Sequence, residues 1–170
     1  MQSLQSMKIL LCANFTFLDR MEVAFYRGRK RLFNRLTSFW LRGSYSHVEL
    51  VLGYDQAGQA ICASSSMMDG GVRVKHMRLD PEHWDLIPVA GSTDAAWAWL
   101  QEHEGAGYDY LGLLGFVARA VGHNPSRFVC SEAVAEMLGI SDGWRFDPCS
   151  LYAAVSYLSK PATTIPQQTK

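Results

Sequence analysis

No two of the four cysteines, Cys12, Cys62, Cys130 and Cys149, form a Cys-x-x-Cys pair. That argues against a zinc ribbon or a thioredoxin-type redox motif. Excess charge is missing as well: Lys+Arg 16 balance Asp+Glu 16, for a formal net charge of zero. The chain as a whole therefore has no bias toward nucleic acid, which is not expected as a partner. Long apolar runs are absent. Ile9 to Cys12 is too short for a membrane span or a signal-peptide core, and Met1 to Ser6 is polar without a basic leader region. The expectation is a chain made and folded in the cytoplasm, with no transmembrane segment. There is no internal repeat and no Pro/Gly/Ser-rich linker.

What is present suits one domain. The length of 170 residues and the hydrophobic content of 48% allow a sizeable core. Trp84, Trp97, Trp99 and Trp144 are expected to contribute to it, and a domain of this size needs no disulfide to fold. Residues 1–160 are read as that domain. Residues 161–170, polar with Pro161 and Pro166, are read as a flexible tail.

The periodicity predicts an α+β arrangement, a small antiparallel sheet packed with helices. Met7 to Ala13 reads as a first strand. Asp19 to Leu41 reads as a helix, with Leu32, Phe33, Leu36, Phe39 and Trp40 as its apolar stripe. His47 to Leu52 and Gln59 to Ser64 read as a hairpin turned at Asp55-Gln56-Ala57-Gly58. Val72 to Met77 and Trp84 to Val89 read as further strands. Ser92 or Thr93 is positioned to cap a helix over Asp94 to Glu104, stopped by Gly105. Tyr108 to Val121 is apolar nearly all round and is expected to be a buried helix, with Gly112 and Gly115 admitting a close neighbour. Asn124-Pro125-Ser126 is a turn before a helix that begins at Cys130 and ends at Gly139. Asp147-Pro148 is a start signal for a last helix through Leu158.

Two short segments carry chemistry when read together. Ser46-His47-Val48-Glu49-Leu50 places a histidine where an apolar strand begins. Phe128-Val129-Cys130-Ser131-Glu132 places a cysteine where a helix begins. A helix start offers unpaired N–H groups and partial positive charge, which favour a thiolate, and a histidine supplies the base that a thiol nucleophile needs. Alone, Cys130 would read as a small buried hydrophobe. His76, His83, His103 and His123 compete with His47 for the base. His76, on a predicted strand, is the strongest rival.

Five motifs follow one another: Ser46 to Leu50, Ser64-Ser65-Ser66, Asp69-Gly70-Gly71-Val72-Arg73, Tyr108-Asp109 and Cys130-Ser131-Glu132. Their order, histidine before cysteine, resembles the circularly permuted branch of the NlpC/P60 superfamily. That is a papain-like group of cell-wall peptidases, amidases and acyltransferases, and the likeness is to its phage and prophage members. The match covers roughly residues 44 to 150. The resemblance implies a permuted papain-like fold and a cysteine peptidase or amidase acting on an amide bond in peptidoglycan, with no metal and no cofactor. Virion association or release to the cell wall is compatible with it.

By that resemblance Cys130 is the nucleophile and His47 the base. Glu49 shares a sheet face with His47 and is the favoured orienting group. Relatives often place that group on the next strand, where this chain offers Gln59, Cys62 and Ser64. Tyr108 resembles a site-lining tyrosine that bonds the oxyanion or the substrate. The Ser131 N–H is a candidate for the oxyanion hole, Glu132 for complementing the helix dipole, and Arg73 for reaching the cleft. Two other readings remain open: a lipid-directed thiol acyltransferase or phospholipase of the same fold, and a virion component that retains the fold without activity. Arg27, Arg29, Lys30, Arg31, Arg35 and Arg42 form a run with no acid among them. It is either a solvated helix face or a contact for an anionic surface, and the former is favoured.

Overall fold

The structure, a computed structural model, describes residues 21–27, 43–115, 124 and 126–159. The expected strand over Met7 to Ala13, the apolar stripe from Leu32 to Trp40, most of the basic run and the tail at 161–170 lie outside the described residues. Among the described residues seven strands form one sheet: β1 (Met21–Tyr26), β2 (His47–Tyr54), β3 (Ala60–Ser66), β4 (Gly71–Met77), β5 (Trp84–Val89), β6 (Gly107–Tyr108) and β7 (Arg127–Phe128). The order across the sheet is β5-β1-β2-β3-β4-β6-β7. Every pairing is antiparallel except β6 with β7, which run parallel. Among the described residues the helices are α1 (Thr93–Glu102), α2 (Tyr110–Gly115), α3 (Cys130–Met137) and α4 (Pro148–Leu158), with a 3-10 turn at Gly143–Arg145. The fold class is α+β, with a larger sheet than expected.

The helix expected over Asp19 to Leu41 is corrected where the chain is described: Met21 to Tyr26 is a strand. It lies in the sheet interior, between β5 and β2. A strand covered on both faces reads as a continuous apolar run, and such a run has no period of two to distinguish it from a helix. Arg27, at its end, donates to the Pro81 carbonyl at 3.1 Å and pairs with Asp85 at 3.2 Å. The first residue of the basic run is thus tied to the approach to β5 and to β5 itself.

Alternation along the strands divides the apolar residues between two layers. Val23 and Phe25 of β1, Val48, Leu50 and Leu52 of β2, and Ala63 of β3 pack with Ala133, Val134 and Met137 of α3 and Leu151 and Val155 of α4. Trp97 and Leu100 of α1 join this core, and Trp99 Nε1 donates to Glu136 of α3 at 2.9 Å. A second, smaller cluster holds Ala24, Val51, Ala60 and Cys62, bordered by Met77, Leu79 and Trp84. Among the described residues no helix is long and apolar enough to cross a membrane.

Helix ends follow their local signals. Ser92 Oγ accepts from Ala95 N at 3.2 Å to cap α1, and Asp147 accepts from Cys149 N and Ser150 N ahead of Pro148 at the start of α4. The expected helix from Tyr108 begins later. Tyr108 pairs in β6, and Asp109 accepts from Leu111 N and Gly112 N to start α2 at Tyr110. It is not buried all round, because Tyr110 and Leu111 are 52% and 60% exposed at its first turn. Trp144 also departs from expectation. It lies at the surface under the Arg145 guanidinium, 4.5 Å from the ring centroid.

Candidate active site

The site is built where β2 begins and α3 begins. β2 directs His47 and Glu49 to the same side, because side chains two apart on a strand share a face. Their side chains meet, with His47 Nε2 and Glu49 Oε1 2.7 Å apart. That occupies one ring nitrogen, and Cys130 is near enough to act on the charge of the same ring. Burial pushes the His47 imidazole down, but Cys130 and the Glu49 carboxylate outweigh it and raise the ring to about 10. The ring keeps an open edge, 24% exposed. Tyr26 stands opposite His47 in register and Trp84 stands opposite Tyr26, so these aromatics wall one side of the imidazole. The Trp84 ring lies 6.4 Å from the His47 ring, edge-on.

Glu49 is 1% exposed, and a carboxylate so placed needs strong partners. Arg73 of β4 supplies them. Its Nη1 donates to Glu49 Oε2 at 2.6 Å and its Nη2 donates to Oε1. Burial pushes the Glu49 carboxyl up, yet the Arg73 hydrogen bonds and the His47 charge bring it down to about 2. The reach of Arg73 follows from the sheet. Ser64 of β3 pairs with Arg73, and the β2–β3 ladder, continued one step from Leu50 and Ala63, sets Ser64 opposite Glu49. Serine is small enough for an arginine to cross over it. Arg73 Nε also donates to Asp69 at 2.9 Å, and Lys75 donates to the same carboxylate at 3.2 Å.

Among the described residues no hydrogen bond joins the other candidates for the orienting role to His47. Ser64 Oγ donates to the Val48 carbonyl at 2.7 Å. Cys62 is buried beneath the Glu49–Arg73 pair, and burial followed by the Glu49 charge holds its thiol above the ordinary range. The Gln59 backbone N–H donates to Asp55 at the hairpin turn. His76 is bound to Asp55 at 2.7 Å, His83 to Asp80 at 3.0 Å and His103 to the Trp99 carbonyl at 2.8 Å. His123 lies outside the described residues.

No family model matches this chain, and no curated protein matches it.

Cys130 occupies the first position of α3, and Val129 precedes it as N-cap. Helices usually take Ser, Thr, Asp or Asn there, to accept from the first-turn amides. Valine has no acceptor, and no side-chain cap bond forms at that residue. The amides of Cys130 and Ser131 therefore face no capping oxygen from the residue before Cys130. The Ser131 side chain is itself buried, and its hydroxyl has no hydrogen-bond partner among the described residues. Glu132 reaches back to accept from Val129 N at 3.3 Å. It is 2% exposed, and burial raises its carboxyl to about 7.

Tyr108 is buried beside Cys130. Burial, then the nearness of Cys130, holds its phenol above the ordinary range, so it is an O–H donor at any working pH. The turn before β4 positions it. Gly71 pairs with Gly107, and a side chain at Gly71 would overlap the Ala106 carbonyl oxygen. Gly71 also has a φ of 149°, which suits glycine. The same turn carries Asp69, which holds Arg73. One short segment thus registers Tyr108 on the Cys130 side of the site and Arg73 on the Glu49 side.

Sequence reasoning missed two features: the Arg73 grip on Glu49 and the Trp84 edge against His47. A usable signal existed for the first, since the alternation over Val72 to Met77 places Arg73 and Lys75 on one face. The pairing of that face with Glu49 depends on strand register, which alternation alone does not specify.

Proposed function

We propose that this protein is a thiol hydrolase that cleaves an amide bond through a Cys130–His47 acyl-enzyme, in a permuted papain-like fold of the NlpC/P60 kind. The observation that carries the reading is that His47, held at Nε2 by the buried Glu49, is also the imidazole whose charge Cys130, at the start of α3, favours. That is the division of labour a nucleophile–base–orienter triad requires. The arrival of the base on a strand and of the nucleophile on a helix start, in that order along the chain, supports the permuted form.

In this reading the Cys130 sulfur attacks the carbonyl carbon and its proton resides on His47. The carbonyl electron pair moves to oxygen, where the first-turn amides of α3 and the Tyr108 hydroxyl donate to it. His47 then protonates the leaving nitrogen, the C–N bond breaks and a thioester remains. Water attacks the thioester, His47 takes its proton, and the carboxylic acid leaves as the thiol is restored. Glu49 holds the ring and balances its charge throughout. Every proton and electron pair is accounted for by these groups and water.

The resemblance points to peptidoglycan as the source of the amide. A second reading, a lipid-derived acyl group, is favoured by one observation: Tyr110 and Leu111 present apolar surface next to Tyr108. A panel of muropeptides and phospholipids, with Cys130→Ala as control, tests both. Release of a new amine from muropeptides supports the amidase reading, and release of fatty acid supports the second. If neither is cleaved and no thioester can be trapped on Cys130, the enzyme reading fails.

A further inference from the structure

We infer that Arg73 is the positioning residue of this site: its two-pronged grip keeps the Glu49 carboxylate ionised and aimed at His47 while the proton on His47 comes and goes. The inference rests on the thiol–imidazole reading above and adds a part to it.

Side chains from several elements face Glu49. His47 lies on its own strand, Arg73 on β4 and Cys62 on β3, while Cys130 of α3 acts on it through the ring. Of these only Arg73 carries a permanent positive charge, since a guanidinium does not lose its proton in proteins. His47 cannot be the fixed partner. It carries a proton while Cys130 attacks and loses it when the amine leaves. At the neutral-imidazole stage, a buried carboxylate with no other cation beside it would take up a proton. A protonated Glu49 would be a donor at one oxygen and would no longer balance the imidazolium at the next step. Arg73 prevents this at every stage.

The grip is itself braced. All three kinds of guanidinium nitrogen are used, Nη1 and Nη2 on Glu49 and Nε on Asp69. Lys75 neutralises the second oxygen of Asp69. Two cations and two carboxylates thus balance, and the charge on His47 is the one that changes. Arg73 retains 15% of its side-chain exposure and Lys75 50%, so the chain of pairs runs from the surface to the buried carboxylate.

The test needs no substrate. The alkylation rate of Cys130 by iodoacetamide is followed across pH with mass mapping, and the Glu49 carboxyl is titrated by carbon-13 NMR. These are done on the full chain and on Arg73→Met, Arg73→Lys and His47→Ala. In Arg73→Met the Glu49 midpoint should climb by at least about one unit, and alkylation at neutral pH should slow about tenfold. In Arg73→Lys the charge remains and the fork is lost. The midpoint should then stay low while alkylation slows about threefold. A residue that only braces the fold would lower the melting temperature and move neither readout. A folded Arg73→Met with both readouts unchanged overturns the inference. If Arg73→Met does not fold, an Arg73→Lys rate equal to that of the native chain overturns it. If His47→Ala leaves alkylation unchanged, the thiol–imidazole reading itself fails. If His47→Ala slows alkylation and a folded Arg73→Met does not, only the role of Arg73 is lost.

Discussion

Glu49 and His47, two residues apart on one strand, share a hydrogen bond of 2.7 Å at the buried end of the imidazole. Alternation along β2 turns both to one side, and the ring keeps an open edge. A pair built within a single strand depends on no register with a neighbour. Its partner Arg73, by contrast, comes from two strands away.

Glu49→Gln tests the pair. A neutral amide still accepts from one neighbour but removes the counter-charge of the imidazolium, so turnover should fall by more than about tenfold. The same change leaves the Arg73 guanidinium poorly matched in a largely buried place and should cost about 2 kcal/mol or more of stability. Steady-state rates and denaturant midpoints of the one variant check both. An unchanged rate would remove Glu49 from the site.

Cys130→Ala should abolish hydrolysis with little change in melting temperature, because alanine fits a first-turn helix position and fills nearly the same space. Cys62→Ala and Cys149→Ala should keep most activity. Cys62 lies beneath the Glu49–Arg73 pair, and Cys149 bonds the Tyr45 carbonyl at 3.5 Å in α4. Full activity of Cys130→Ala would reassign the nucleophile.

Stability should depend on pH in two separate windows. The folded value for His47, about 10, lies above its ordinary 6.5. Its contribution is therefore complete below pH 6.5 and is lost as pH climbs toward 10. The folded value for Glu49, about 2, lies below its ordinary 4.5. Its contribution is complete above pH 4.5 and is lost as pH falls toward 2. Denaturation midpoints should be highest between those windows. His47→Ala should flatten the alkaline slope and Glu49→Gln the acid slope. Slopes that survive both substitutions would place their origin in other groups.

Gly71→Ala should be among the most damaging single-methyl changes in the chain. The added carbon would overlap the Ala106 carbonyl at a φ of 149°. Relief requires β6 to move off β4, taking Tyr108 with it. A loss of about 2 kcal/mol or more in stability is expected, together with slower chemistry in whatever fraction folds. Gly58→Ala is the comparison. Its φ of 73° is also positive but its surroundings are open, so it should cost about 1 kcal/mol and leave the site alone.

How far the sequence alone reached is clearest at individual residues. Ser92 and Asp147 cap their helices as local rules require, because a cap bond spans only two or three residues. The hairpin from His47 to Ser66 was legible because alternation and a Gly-containing turn lie next to one another in the chain. Cys130 at a helix start and His47 at a strand start were legible as types in places. Tertiary structure decided the rest. Met21 to Tyr26 is a strand because β5 and β2 flank it, and nothing in six apolar-rich residues distinguishes that from a helical turn. Tyr110, Leu111 and Trp144 are exposed because of where their elements sit, which hydrophobicity does not encode. Arg73 grips Glu49 because strand register places Ser64 between them, and register is a property of the assembled sheet. Local hydrogen bonds and side-chain periodicity act over a few residues and are written in the chain. Burial and cross-strand partners arise only when distant segments meet.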